Sequence, residues 1–105
     1  MPLSEGEGAR TMPAYWTGHI HITDAEEYGK YAQLAGPAIE KHGGRFLARG
    51  GKHVALEGED FARNVVVEFA SLDAAVACYN SPDYQEALAF AKRGATRNLC
   101  IVEGV

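Results

Sequence analysis

The stretch Lys41 to Leu56, KHGGRFLARGGKHVAL, restricts this chain most, because it must stop one element and start another within a few residues. Gly43 and Gly44 supply the positive-φ positions that end a helix. Behind them Phe46 and Ala48 alternate with Arg45 and Arg49, the pattern of a half-buried strand. Gly50 and Gly51 read as a bulge or bend, after which the strand resumes at Val54 and runs to Glu57. Between Lys41 and His53 lie four of the chain's ten Lys and Arg, two of its four His, and no Asp or Glu. A basic strip therefore crosses a chain whose net charge is −4.

The remaining elements follow from periodicity. Residues 1–11, MPLSEGEGART, carry no apolar pattern and read as a mobile tail, which places one folded domain over residues 13–105. Met12-Pro13 repeats the opening Met-Pro and marks an alternative start. From Ala14 to Ile22 the chain alternates, with Trp16, Ile20 and Ile22 on one face and Tyr15, Thr17, His19 and His21 on the other. Thr23 to Glu26 has the T-x-x-E capping pattern, with Asp24 to Glu27 as a one-residue alternative. Tyr28, Tyr31, Ala32, Ala35 and Ile39 then form one helical stripe, and Gly36-Pro37 predicts a kink or a restart within it. Asn64–Ala70 is a β-branched strand with Glu68 on the face opposite Val67 and Phe69. A helix from Ser71 breaks at Asn80-Ser81-Pro82, where Ser81 caps a second segment with Pro82 in its first turn. Asn98–Glu103 closes as an apolar strand.

The order βαββαβ predicts an α+β, ferredoxin-like sandwich: a four-stranded antiparallel sheet with two broken helices on one face. Its uncovered face would carry Tyr15, Thr17, His19, His21, Arg45, Leu47, Arg49, Val66 and Glu68. That mixture is too aromatic for a plain solvent face, so a second subunit is expected to cover part of it. With 105 residues the core of one copy is small.

Charge and cysteine usage exclude several classes. A net negative chain lacks the field that non-specific nucleic-acid binding needs, and no apolar run approaches the ~20 residues that span a bilayer. Cys78 and Cys100 lack metal or redox spacing and sit in apolar surroundings, which predicts two buried free thiols and a cytoplasmic setting. There is no phosphate loop or nucleophile elbow.

Four blocks together, Y-W-x-x-H at Tyr15 to His19, HGGRFLARGG at His42 to Gly51, YNSPDYQ at Tyr79 to Gln85 and the ending IVEGV, resemble the bacterial family called domain of unknown function 1330. The resemblance covers essentially everything after Met12. It implies the dimeric α+β barrel superfamily, in which two ferredoxin-like subunits pair through their sheets and enclose a cleft in each. Superfamily relatives include cofactor-free quinol monooxygenases, haem-degrading enzymes and muconolactone isomerases, so the resemblance implies a fold and a dimer more than one reaction.

Three groups of residues are candidates for chemistry. His19 and His21, two apart on a strand, must point the same way; they suit an acid/base role or, with further ligands, a metal, and the plainer reading is a hydrogen-bonded subunit interface. No third ligand is placed by the sequence, so neither metal nor cofactor is expected. Arg49 paired across strands with Glu68 would anchor an anionic or carbonyl-bearing ligand, or be a structural ion pair. Tyr79, Asn80 and Tyr84 cluster at the helix break, as the walls of a cleft or as packing. The expectation is a homodimer binding a small ring-bearing or carboxylated molecule between sheet and helices. An enzyme of this kind would use only proton transfer or substrate-activated oxygen chemistry, as a cofactor-independent monooxygenase or isomerase does. The alternative is a non-catalytic dimeric module.

Overall fold

The computed structural model of the chain describes residues 12–105, so the tail expected over residues 1–11 lies outside the described residues. Alternation in the first strand becomes geometry at once. In β1 (Ala14–Ile22) Ala14, Trp16, Gly18 and Ile20 are buried on one face. Asp24, not Thr23, caps α1 (Ala25–Lys41), its Oδ1 accepting from the backbone N–H of Glu26 at 3.1 Å and Glu27 at 3.2 Å. The helix ends at the glycine pair, but only Gly43 takes the expected positive φ, at 86°; its N–H donates to the carbonyl of Glu40, while Gly44 donates to the carbonyl of Ile39 and is a glycine because a Cβ would meet the Phe69 ring at 2.8 Å.

β2 (Arg45–Arg49), β3 (Arg63–Phe69), α2 (Leu72–Tyr79), α3 (Pro82–Gly94) and β4 (Ala95–Glu103) complete the βαββαβ order. The sheet runs β2-β3-β1-β4, all neighbours antiparallel, and α1 packs along α3. This is the ferredoxin-like α+β arrangement, with the second helical segment broken into α2 and α3 at Ser81. The core lies between sheet and helices. Trp16 stacks on Phe69 with centroids 5.8 Å apart and meets Tyr84 edge-on at 5.0 Å. Removing a buried aromatic of this kind costs about 3–5 kcal/mol.

Four expectations are corrected. The second strand stops at Arg49 instead of continuing to Glu57, because Gly50 at φ 74° turns the chain out of the ladder after its N–H donates to the carbonyl of Asn64. Residues 51–62 form a long connection in which Val54 and Leu56 are 80% and 87% exposed, so no hairpin buries them. α1 runs unbroken through Pro37. Pro37 is on the exposed side, where water can take the carbonyl that proline leaves without an N–H partner. Only Cys78 is a buried thiol, and burial pushes its pKa up to about 11. Cys100 is exposed, since it pairs with Thr17 on the face of β1 away from the helices.

The fourth correction moves a candidate residue. Phe46 pairs with Val67, but Ala48 pairs with Val66 and Arg49 with Val65, so Leu47 is an extra residue in a bulge. A bulge shifts the alternation by one. Arg49 therefore shares the helix-facing side with Phe46 and Val65, while Arg45 stays on the uncovered side with Glu68.

Candidate functional site

The sheet's register assembles a cleft between its helix-facing side and α1. Ile20 pairs with Arg63 of β3 on one side and Arg97 of β4 on the other, so the two arginines flank one buried isoleucine. Arg49 enters from β2 by way of the bulge. Apolar walls come from Trp16, Ile20, Ile39, Phe46, Val65 and Leu99, and α1 contributes Tyr28 and Tyr31 together with Gly36. The empty space is about 430 Å3 counting its open mouth. Only about 30 Å3 of it admits the centre of a water molecule, room for about two waters.

Each arginine lies over an aromatic ring. The guanidinium carbon of Arg49 is 3.9 Å from the Phe46 centroid, that of Arg97 4.9 Å from Tyr31, and that of Arg63 5.7 Å from Tyr28. Arg97 also donates to the Tyr31 hydroxyl at 3.0 Å and to the Tyr84 hydroxyl at 3.4 Å, and the two hydroxyls share a hydrogen bond of 2.8 Å. Burial raises the pKa of Tyr28 and of Tyr84, which keeps both phenols neutral donors. Burial works against the charge of Arg97, but the phenol oxygens of Tyr31 and Tyr84 outweigh it and raise its pKa. The chemistry on offer is hydrogen-bond donation and positive charge beside apolar walls.

Of the candidates drawn from sequence, only Arg49 lines this cleft. Tyr84 stands behind it, fully buried, and touches it through Tyr31 and Arg97. Tyr79 packs on Trp16 and Tyr84, and Asn80 caps the end of α2 at the surface. The expected Arg49–Glu68 pair does not form, because the bulge separates the two across the sheet. Glu68 instead accepts from Arg45 at 2.7 Å and from the Tyr15 hydroxyl at 3.4 Å, and the hydrogen bond from Arg45 lowers its pKa.

His19 and His21 stand on the uncovered face, away from the cleft. His19 Nδ1 is 2.7 Å from Asn64 Oδ1, while His21 pairs with Glu59 and stacks on Phe61 with centroids 4.3 Å apart. His53 pairs with Asp60 at 3.0 Å, and His19 and His53 border an open hollow of about 870 Å3, counting its mouth, under the 51–62 connection. Among the described residues no group of three His, Cys, Asp or Glu is placed to hold a metal ion.

Arg63 and Arg97 were missed from the sequence, although a signal was present. Arg63 falls in step with Val65, Val67 and Phe69, and Arg97 with Leu99 and Ile101, so each is an arginine at an apolar-face position. Starting the strands at Asn64 and Asn98 left both outside the pattern.

Comparisons with known proteins agree on the architecture. The family model described as domain of unknown function (DUF1330) matches residues 13–105. No curated protein matches the sequence significantly. A protein of unknown function from Rhodopseudomonas palustris is similar, with a TM-score of 0.77 and 21% identity over 95% of this chain and 88% of that one. SnoaB, a cofactor-independent oxygenase from Streptomyces nogalater, aligns with a TM-score of 0.61 and 11% identity over 90% of this chain and 95% of its own. A dimeric protein of unknown function and ferredoxin-like fold from Bacteroides fragilis aligns with a TM-score of 0.55 and 15% identity, covering 88% and 96%. At these identities the likeness establishes the fold.

Proposed function

The chain belongs to the DUF1330 family, and on that footing we propose that it is a cytoplasmic homodimer that binds a small organic molecule in the cleft between sheet and α1. The carrying observation is the cleft's composition: apolar walls, tyrosine hydroxyls and guanidinium groups converge at one end of the sheet. Two free thiols suit a reducing compartment. Pairing through the sheet is supported by the uncovered face, which includes Thr17, His19, Val66 and Cys100, and by the apolar Val54 and Leu56 that one copy leaves in water. In this reading His19 and His21 serve the interface, and Tyr28 and Tyr31 are the proton-bearing groups at the cleft. A dimeric neighbour and a cofactor-independent oxygenase of the same fold lend support by analogy.

One observation favours a second reading, a non-catalytic dimeric module: in a single subunit the cleft between sheet and α1 has room for only about two waters. A native mass spectrum of the purified protein separates the two. A dimer carrying an added small-molecule mass that Arg49→Ala removes supports binding. A bare dimer supports the module, and a monomer overturns pairing through the sheet. Alkylation adds a check, because a sheet-paired dimer protects Cys100 as well as Cys78 from iodoacetamide until it is unfolded.

A further inference from the structure

We propose that Arg49, Arg63 and Arg97 form an oxyanion site that takes the carboxylate of a small apolar acid, whose body lies against Trp16, Ile20 and Val65. This deepens the cleft-binding reading and rests on it.

Register supplies the first argument. Arg63 and Arg97 are the two direct cross-strand neighbours of Ile20, and Arg49 sits opposite Val65, two residues along β3 from Arg63. At about 4.8 Å between neighbouring strands, Arg63 and Arg97 start about 10 Å apart with β1 between them and Arg49 one strand further out, and the long side chains of all three line the same cleft. Among the described residues none of the three is in an ion pair, whereas Arg45 and Arg93 each have a carboxylate at 2.7 Å. Three like charges without a counter-ion favour an anion between them.

Counting donors gives the second argument. A guanidinium has five N–H groups and no acceptor. Arg63 Nε is buried without any partner. Arg97 spends its bonds on two phenol oxygens, which also bond each other at 2.8 Å. A hydrogen bond between two hydroxyls uses one of their two protons, and each oxygen already accepts from Arg97. With Tyr84 as the donor of that bond the Tyr31 proton is left over, and Tyr31 is the member of the pair that lines the cleft. Arg63 and Tyr31 both ask for an acceptor that the chain does not provide, and a carboxylate accepts from several donors at once, bidentately from arginine.

The walls supply the third. Trp16, Ile20, Phe46, Val65 and Leu99 surround the donors, so the preferred anion has an apolar body; inorganic phosphate would leave those walls against water. With room for about two waters in the closed cleft, one ring or a branched chain enters only as the exposed Arg49 side chain gives way.

The experiment is calorimetric titration of the dialysed protein at low salt with benzoate, benzamide and inorganic phosphate, followed in parallel by the fluorescence of Trp16, the chain's one tryptophan. Arg49→Ala and Arg63→Met are compared with Lys92→Ala, an exposed charge on α3. Arg49 is exposed and, among the described residues, neither arginine is in an ion pair, so both variants should fold, which their melting curves check. The expected result is that benzoate binds, benzamide and phosphate bind at least about tenfold more weakly, each arginine variant loses about tenfold for benzoate, and Lys92→Ala loses nothing. Added salt should weaken benzoate more than benzamide. Benzamide binding as tightly as benzoate, or equal losses in Lys92→Ala, overturns the oxyanion site while leaving the cleft. Phosphate binding as tightly as benzoate overturns the choice of an apolar acid. No response to any probe up to about 10 mM overturns both the site and the cleft reading.

Discussion

A Cβ placed on Gly36 would lie 2.7 Å from Nη2 of Arg49, so the guanidinium rests in the space that a missing side chain leaves on α1. The bulge at Leu47 aims Arg49 at the helix, and Gly36 lets it arrive.

Gly36→Ala should therefore separate stability from binding. The helix gains up to about 1 kcal/mol from the better helix former, and the neighbour that must move is the free end of a flexible side chain. Thermal unfolding should show an unchanged or higher Tm, while titration with benzoate should show weaker binding because Arg49 has been displaced. A lower Tm would mean that Arg49 cannot yield.

Gly94→Ala should behave in the opposite way. A Cβ there would meet the backbone N of Tyr28 at 2.6 Å and the carbonyl of Asp24 at 3.0 Å, and neither can swing aside. The Gly94 carbonyl also accepts from the N–H groups of Thr23 and Asp24 at 2.8 and 3.1 Å, tying α3 to the start of α1. A loss of about 1–3 kcal/mol is expected in urea unfolding. A change within error would show that the two helices can separate there without cost.

Asp83 gives a pH signature. The Ser81 side chain, then His42 at 3.3 Å, and further on Lys41 at 3.5 Å hold its carboxyl below the usual range. A depressed carboxyl pKa stabilises the folded state above the unfolded value, about 3.9, and that stability is lost as pH falls through the folded value. Asp83→Asn should be less stable than the parent at pH 7, by a margin that stays level down to about pH 4 and closes below it. Denaturant midpoints across pH measure the margin; a gap that persists at pH 2 would assign the effect to packing.

Tyr84→Phe removes one hydroxyl from the Tyr31–Tyr84–Arg97 group without opening a cavity. A loss of about 1 kcal/mol is expected by urea unfolding. Tyr31 would remain bonded to Arg97 at 3.0 Å, so benzoate binding should fall less than in Arg63→Met.

The outline of the fold was legible because local rules and the fold agree. Alternation in β1, the glycine stop after Lys41, and Ser81 with Pro82 as a helix start are each decided within a few residues. Together they imply a ferredoxin-like sheet with one helical layer. The site was less legible, since it depends on which strands become neighbours. Glu68 looks available to either Arg45 or Arg49 in sequence, and a single extra residue at Leu47 decides for Arg45.

What the amino-acid sequence determined by itself was therefore the order, type and apolar faces of the elements, because these follow from periods of 2 and 3.6 residues and from caps. What the tertiary structure decided was the company each polar group keeps. Arg49, Arg63 and Arg97 come from three strands and line one cleft only when the register sets Ile20 between two of them and the bulge turns the third inward. Register is a property of paired strands, and no single strand carries it.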